Sequence, residues 1–429
     1  MKKVSTWDTV NGASSGYYFV NYEEGIYLGY RYYETRGADE GEDWYNKQVT
    51  FPFGYGLHYD NDKVSQTLTD VKMLGSNLQV TGTITNASNR EVKETVQLYI
   101  EAPYYLYGSK IEKSAKVLVD FGKYTVAANS SVDFTFTIAR EEFASFDDNC
   151  YYTSNGGYVL EEGEYTLHLG KNSHEDWASK TFEIGETLAY VDSGAQNGAK
   201  AIGKRTSDGI VAENTFDDVR RYIQDGYMTV MSRSDFAGTT PTAPTLAKTA
   251  PDYVVKANAA YDKDNDTISG VKNKDALLYR EDKPTSGADN GLSSLRGLAY
   301  NDPLWEELLD QIDFTKADEI SSAITYGLYM TQALEAIGLS KTGDNDGPLG
   351  LTATWSGTKG HVVACAWTSA PLTAATFNPD LIYEMGRRRR KYHEKRLDRS
   401  ICHLLRRKGR LQRLVCSRHQ HPSLAVLRT

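Results

Sequence analysis

Residues 62–188 of this chain are predicted to form an antiparallel β-sandwich, on the basis of two sequence patterns. Apolar and polar residues alternate with a period of two in three separate runs. The runs are residues 80–84, 96–100 and 132–138. Turn-forming sequences rich in asparagine and serine separate them, as at 86–89 and 128–131. Short alternating strands at this spacing are typical of a two-sheet sandwich.

Four further segments are predicted around the sandwich. Residues 1–61 form a unit rich in tyrosine and glycine. Residues 189–300 are rich in Gly, Ala, Thr, Asp and Lys with weak periodicity, which indicates a connector. Residues 301–386 carry helical and loop signals, and residues 387–429 form a basic tail.

Helical signals begin after the connector. Asp302 is an acid suited to capping a helix, and Pro303 suits its first turn. Apolar residues then recur on one face over 304–312. A second helix is predicted over 315–337, closed by Gly338.

The composition narrows the class of protein. A hydrophobic content of 40% with 24% charged residues is typical of a soluble globular chain. Four scattered cysteines do not suggest a disulfide framework or a zinc site, and His168 and His174 are predicted to be isolated. Since no apolar run is long enough to span a membrane or to follow Lys2 and Lys3 as a signal peptide, a cytoplasmic location is expected.

Charge is distributed unevenly along the chain. The net charge is −9, but residues 387–429 hold 15 Lys and Arg against two acids, which leaves about −22 for the rest. A nucleic-acid patch is one interpretation of the tail. The interpretation favoured here is an out-of-frame or disordered tail, because composition changes abruptly at Gly386 and no nucleic-acid-binding module is recognised.

Three stretches resemble the family-3 glycoside hydrolases, whose members include β-glucosidases. The first comprises YEEGIYLGYRYYET at 22–35 and FPFGYGL at 51–57, and it resembles the end of the family's α/β sandwich domain. The second comprises ETVQLYI at 94–100 and LVDFG at 118–122, and it resembles the family's fibronectin type III-like module. The third comprises TQALEAIG at 331–338, DGP at 346–348 and ATFNP at 375–379.

The third stretch resembles the opening of the family's catalytic TIM barrel. Because it follows the sandwich, the order resembles the permuted branch of the family, in which the barrel closes the chain. The resemblance therefore implies a fibronectin type III-like sandwich as the main intact domain. It also implies a C-terminal remnant of the α/β domain at 1–61 and an incomplete α/β segment, the start of the barrel, at 301–386.

The resemblance also implies which catalytic groups to look for. Retaining glycosidases use two carboxyl groups about 5–5.5 Å apart. The family resemblance implies an Asp nucleophile in a Ser/Thr-Asp-Trp setting and an acid/base Glu on a loop of the α/β domain. The two Asp-Trp dipeptides, at Asp43 and Asp176, each follow a Glu instead. No catalytic residue is therefore assigned, and the chain is expected to be an inactive fragment.

One binding residue carries over from the resemblance. Asp346 matches the aspartate that is implied to accept hydrogen bonds from sugar hydroxyls, and a carboxylate suits that role. The alternative is that Asp346 simply belongs to a tight turn. Glu23 and Glu24 are expected to be solvated or paired, on opposite faces of a strand.

The expected function is that of a β-glucosidase-like hydrolase of O-glycosyl bonds in carbohydrate metabolism. Its substrate would be a β-linked oligosaccharide or glucoside in the intact enzyme. No cofactor and no metal are expected, because two carboxylates and water suffice for the reaction. Neither nucleic acid nor a membrane is expected as a partner. The alternative is a carbohydrate-binding or protein-interaction module built on the sandwich.

Overall fold

The computed structural model describes the sandwich and the helical segment before it almost completely, together with shorter pieces of the rest. The described residues are 3–6, 18–21, 23–57, 59–104, 108–204, 229–240, 267–268, 271–272, 295, 297–311, 330–331, 337–339, 342–343 and 366–388. Asp346 and most of the basic tail lie outside them. The chain divides into two compact units. One holds Met1–Val4, Val20–Thr245 and Ala374–Thr429, and the other holds Ser5–Phe19 and Leu246–Thr373.

Short strands dominate the described residues. The strands are β1 Lys3–Thr6, β2 Tyr18–Asn21, β3 Val64–Leu74, β4 Asn77–Asn86, β5 Val92–Glu101, β6 Val117–Val126, β7 Ser130–Ala139, β8 Ser145–Phe146, β9 Tyr158–Leu160, β10 Gly163–Gly170, β11 Asp176–Ile184, β12 Leu188–Ala189, β13 Lys200–Ala201, β14 Thr267–Ile268, β15 Val271–Lys272, β16 Met330–Thr331 and β17 Thr342–Gly343. The helices are α1 Tyr30–Glu40, α2 Glu42–Gln48, α3 Phe236–Thr239, α4 Leu304–Leu309, α5 Ala370–Ala374 and α6 at 379–388.

The predicted antiparallel β-sandwich is confirmed. One sheet has the order β11-β10-β5-β6 and the other β3-β4-β7, and every pair within these two sheets is antiparallel. In β4 buried residues alternate with half-buried ones, as the period-two pattern requires. Leu78, Val80 and Ile84 from β4 and Phe134 and Ile138 from β7 belong to the common core.

Strand β5 is buried on both faces, which the alternating pattern did not predict. Val96, Leu98 and Ile100 face the core, while Gln97 and Tyr99 on the other face are also almost fully buried. Antiparallel sheets commonly leave one face in water, so a covered second face indicates that another element lies on it. The covering element is the segment that precedes the sandwich.

That segment contains α1 and α2. Gly41 joins the two helices with a φ of 93°, a value that favours glycine. Asp43 and Trp44 lie in α2. Glu23 lies in a turn, not on a strand, and at 3% exposure its side chain is buried and not solvated.

The ordered fold continues past residue 188. Strands β8, β9, β12 and β13 form a third, smaller sheet, in which β12 and β13 are parallel. Tyr190 is part of the main core. The first residues of the predicted connector therefore complete the sandwich.

The second unit is described in short pieces. Helix α4 begins where the sequence predicts, with the Leu304 N–H donating to Asp302 Oδ1 at 3.0 Å. Leu308 packs in a small cluster with Leu295 and Ile337. The helix predicted over 315–337 is wrong at Met330–Thr331, because these residues pair as strand β16 with β17. Short apolar runs do not distinguish strand from helix by periodicity alone. In the described part, no helix has the length and apolarity to cross a membrane.

Candidate functional site

The three family-like stretches meet at a group of aromatic side chains. Phe53 comes from FPFGYGL, Phe121 from LVDFG and Phe377 from ATFNP. The Phe377 ring centroid lies 5.6 Å from that of Phe53 and 5.3 Å from that of Phe121. Tyr30 of α1 stacks on Phe53 with centroids 4.5 Å apart. We call Tyr30, Phe53, Phe121 and Phe377 the aromatic junction.

The backbone of Phe377 is strained where its ring joins the junction. Its φ of 49° lies in the left-handed region, which costs a bulky side chain about 1–3 kcal/mol. The Phe377 N–H donates to the Ala374 carbonyl at 3.0 Å, just past the end of α5.

The buried face of β5 explains why the first glycine of the FPFGYGL motif, Gly54, has no side chain. The Tyr99 hydroxyl donates to Gln97 Oε1 at 2.7 Å, and Gln97 Nε2 donates to the Gly54 carbonyl at 3.0 Å. Gly54 has a φ of 78°, and a Cβ there would collide with the Gln97 carboxamide. The Ser173 N–H also donates to the Phe53 carbonyl at 2.8 Å. The motif is therefore fixed to the sandwich through backbone groups.

Glu34 is the centre of a second contact between the helices and the sandwich. Its Oε1 accepts hydrogen bonds from the Tyr45 hydroxyl and the Ser173 hydroxyl, each at 2.6 Å. Its Oε2 lies 2.9 Å from His174 Nδ1, and His174 Nε2 lies 3.1 Å from Glu42 Oε1. We call Glu34, Tyr45, Ser173 and His174 the Glu34 cluster, with Glu42 at its edge.

The electrostatics of the Glu34 cluster favour a charged imidazole. Burial alone would lower the pKa of His174, but the hydrogen bonds with Glu34 and Glu42 outweigh burial and raise it above 6.5. Burial, followed by the hydrogen bond to Glu34, raises the pKa of Tyr45 far above its ordinary range. A protonated His174 between two carboxylates forms charge-assisted hydrogen bonds.

This arrangement suits structural support and not nucleophilic catalysis. The Glu34 side chain is 5% exposed and accepts from three side chains, so neither oxygen is free to attack a sugar carbon. Thr35 and Tyr30, also from α1, accept from the Ala115 and Leu118 N–H groups at 2.9 Å. Helix α1 is thereby attached to the sandwich along its length.

A second charged group lies on the sandwich itself. His168 Nδ1 is 2.7 Å from Asp176 Oδ2, and His168 Nε2 is 3.2 Å from Glu101 Oε2. Lys116 Nζ donates to Asp176 Oδ1 at 3.0 Å. Burial alone would raise the pKa of Asp176, but His168 and Lys116 outweigh it and lower the pKa. Burial alone would lower the pKa of His168, but the hydrogen bonds with Asp176 and Glu101 outweigh burial and raise it.

The structure places the sequence-predicted residues as follows. Asp346 lies outside the described residues. Asp43 is exposed in the first turn of α2, and Asp176 is paired with Lys116 and His168. The prediction that His168 and His174 are isolated is wrong, since each lies between two carboxylates. Neither group forms a metal site, because no cluster of His, Cys, Asp and Glu in the described residues has metal-binding geometry.

The two histidine clusters differ in how far the sequence could have revealed them. The hairpin of β10 and β11 brings Asp176 beside His168, so the strand pattern carries some signal for that pair. Glu34 and His174 are 140 residues apart in the chain. No local pattern connects them, so sequence reasoning missed this contact.

Comparisons with known proteins find relatives that match the sandwich and its flanking segments. A family model described as a fibronectin type III-like domain matches residues 94–173. A β-glucosidase of Ruminococcus albus is 34% identical over 152 residues, which are 35% of this chain and 14% of that protein. β-Glucosidase A of Butyrivibrio fibrisolvens is 26% identical over 393 residues, which are 86% of this chain and 42% of that protein.

Among solved structures, β-glucosidase 3B from Thermotoga neapolitana in complex with glucose matches with 33% identity and a TM-score of 0.32. The match covers 39% of this chain and 21% of that chain. This chain spans less than half the length of the two curated relatives described.

The fold and the matching residues define a fibronectin type III-like β-sandwich with a helical segment attached to it. The chain resembles the family-3 glycoside hydrolases and is similar to their β-glucosidases. The similarity to β-glucosidase A is much longer than the sandwich, so the relationship extends to the flanking segments.

Proposed function

We propose that this chain is part of a β-glucosidase-like glycoside hydrolase, which releases terminal sugars from β-linked glucosides or oligosaccharides. The observation that carries the proposal is the aromatic junction. Phe53, Phe121 and Phe377 come from three separate family-like stretches and are in contact. Three unrelated chance resemblances would not be expected to converge on one point of a fold.

The described residues support the enzyme rather than carry out the reaction. Glu34, His174, His168 and Asp176 are titratable groups of the helices and the sandwich, and each is held by partners. Rigid support of this kind positions a substrate-binding surface without touching the reacting atoms. Asp346 is proposed to accept hydrogen bonds from the sugar.

Hydrolysis also needs a nucleophile and an acid/base. Neither Asp-Trp dipeptide of this sequence is in the family's Ser/Thr-Asp-Trp setting. The described Asp176 is held in an ion pair, and Asp43 lies exposed on a helix. We therefore propose that this chain alone does not turn over a glucoside.

The test is hydrolysis of a chromogenic aryl β-glucoside by the purified chain, with Asp346→Ala and Asp346→Asn variants in parallel. No turnover above the buffer blank is expected for any of the three. Turnover by the unaltered chain that Asp346→Ala abolishes would contradict the proposed inactivity. It would also show that catalytic carboxylates are present that the motif comparison did not recognise.

A further inference from the structure

Residues 229–240 lie against α1 and the loop that follows β5, and we call them the strap. The strap carries two buried anchors, Met231 at 5% and Phe236 at 4% exposure. The Met231 N–H donates to the Glu23 carbonyl at 2.7 Å. The strap lies within the same compact unit as the sandwich.

An arginine of the strap makes the most specific contact. Arg233 Nη2 donates to Asp39 Oδ1 at 2.9 Å, and Arg233 Nε lies 3.3 Å from both oxygens of that carboxylate. The guanidinium also lies over the Tyr104 ring, 4.4 Å from its centroid. The planar fork of arginine matches a carboxylate and stacks on an aromatic ring, which lysine cannot reproduce. The arginine side chain is only 13% exposed.

A carboxylate on the sandwich side recognises the strap backbone. Glu112 Oε1 accepts from the Ser232 hydroxyl at 2.6 Å, and Glu112 Oε2 accepts from the Arg233 N–H at 3.0 Å. The Tyr27 hydroxyl donates to the same carboxylate. Glu112 is thus held in position by the protein while it binds both a side chain and a main-chain group of the strap.

Phe236 fills an aromatic pocket three residues after Arg233. Its ring centroid lies 5.0 Å from that of Tyr27 and 5.9 Å from that of Tyr32, both in edge-on geometry. The Arg36 guanidinium lies over the Phe236 ring at 5.0 Å. Buried aromatic and arginine anchors are the groups that carry most binding energy in peptide interfaces.

The strap is also pre-shaped by its own hydrogen bonds. Thr239 Oγ1 donates to the Asp235 carbonyl at 2.6 Å and accepts from the Ser232 N–H at 2.9 Å. Asp235 Oδ1 accepts from the Gly238 N–H at 2.9 Å. A segment that closes into a turn by itself loses less conformational entropy on binding.

We propose that this surface is a peptide-recognition groove for the pattern Arg-x-x-aromatic, and that residues 229–240 are its ligand in the same chain. The groove residues are Glu23, Tyr27, Tyr32, Asp39, Tyr104 and Glu112. Because the ligand is tethered, its effective concentration at the groove is on the order of millimolar, so a free peptide competes poorly. The groove is expected to bind a free peptide only when the strap has lost its anchors.

The experiment uses the full chain and a fluorescein-labelled peptide with the sequence of residues 229–240. The Arg233→Ala/Phe236→Ala chain is expected to bind the peptide saturably in an anisotropy titration, whereas the unaltered chain does not over the same range. Replacing Arg by Lys in the peptide weakens binding by about tenfold, because the fork is lost. Ala237→Ser, at an exposed strap position, serves as the control chain and behaves like the unaltered one.

Two outcomes of the titration would overturn the proposal. One is that the double variant unfolds in the same cooperative transition as the unaltered chain and yet does not bind the peptide. The other is equal binding by the unaltered and the double-variant chains, which would show that the strap does not occupy the groove.

Hydrogen exchange decides the question if the double variant fails to fold. In the unaltered chain the Met231 and Arg233 amides are expected to exchange at least about 100-fold more slowly than in the free peptide, since both are hydrogen-bonded to the groove. The Asp39→Asn substitution should accelerate hydrogen exchange at both amides. Exchange at free-peptide rates in the unaltered chain would overturn the proposal.

Discussion

The imidazole of His174 lies flat on the ring of Tyr45, with centroids 3.8 Å apart and planes inclined by 9°. Both side chains also bind Glu34, one to each of its oxygens. The β10–β11 loop and the two helices are therefore joined through one carboxylate. This contact makes the helical segment part of the sandwich and not a separate unit.

Glu34→Ala is expected to lower the free energy of unfolding by about 2–4 kcal/mol, because it leaves buried hydroxyl donors without a partner. The matched control is Glu42→Ala. The Glu42 side chain is 71% exposed, so its loss is expected to cost less than about 1 kcal/mol. Urea denaturation measures both. Similar small losses for the two variants would contradict the role assigned to Glu34.

The stability of the chain is expected to fall as the pH rises above about 6.5. The folded-state pKa of His174 is raised above 6.5, so the folded chain binds this proton more tightly than the unfolded chain. The resulting stabilisation is fully present below about pH 6.5 and is lost as the pH rises through the folded-state pKa.

His174→Gln tests this dependence in urea denaturation at a series of pH values. Above about pH 6.5, the free energy of unfolding of the variant should fall less steeply with pH than that of the unaltered chain. A residual decline is expected from His168, whose pKa is also raised. An unchanged slope in His174→Gln would show that His174 does not contribute.

A buried ion pair in the sandwich gives a third prediction. Lys113 pairs with Glu161 and donates to the Pro103 carbonyl at 2.9 Å, and burial outweighs Glu161 in lowering its pKa. Lys113→Met should cost about 3–5 kcal/mol, because the Glu161 carboxylate is left buried without its cation. Lys113→Met/Glu161→Leu should recover most of that loss.

Lys200→Met is the control for this pair. Lys200 binds Glu186 in an ion pair whose side chains are both more than half exposed, so removing it should cost less than about 1 kcal/mol. A double variant as unstable as Lys113→Met would contradict the account, since the loss would then come from packing and not from an unpaired charge.

The aromatic junction is tested by a double-mutant cycle of Phe53→Ala and Phe377→Ala. A direct ring contact predicts a coupling energy of about 0.5–1.5 kcal/mol between the two sites. Leu381→Ala replaces Phe377→Ala in the control cycle, because Leu381 is 51% exposed and has no ring to pack against that of Phe53. Coupling no larger than in the control cycle would show that the two rings do not interact in solution.

The sandwich was predictable because its strands alternate with a period of two. The second face of β5 was not, since Gln97 and Tyr99 look like a solvent-facing row in the sequence. They are buried because a segment earlier in the chain covers them, with Gln97 donating to the Gly54 carbonyl 43 residues before it. Long-range covering of this kind leaves no local pattern.

The charged clusters could not be predicted either, because they also depend on long-range contacts. Glu34 and His174 each have ordinary neighbours in the sequence, and only the folded chain brings them together. The end of the sandwich was also missed. Strand β13 is two exposed residues, Lys200 and Ala201, held by backbone pairing with β12, so no apolar period marks it.

We expect the sandwich and its helical segment to act as the supporting module of a β-glucosidase-like enzyme. The most direct measurement is aryl β-glucoside hydrolysis by a chimera of β-glucosidase A of Butyrivibrio fibrisolvens. In the chimera, the segment aligned with residues 30–204 is replaced by residues 30–204 of this chain. The claim predicts kcat/KM within about tenfold of the parent, a change of about 1.4 kcal/mol. A folded chimera without hydrolysis would contradict the claim.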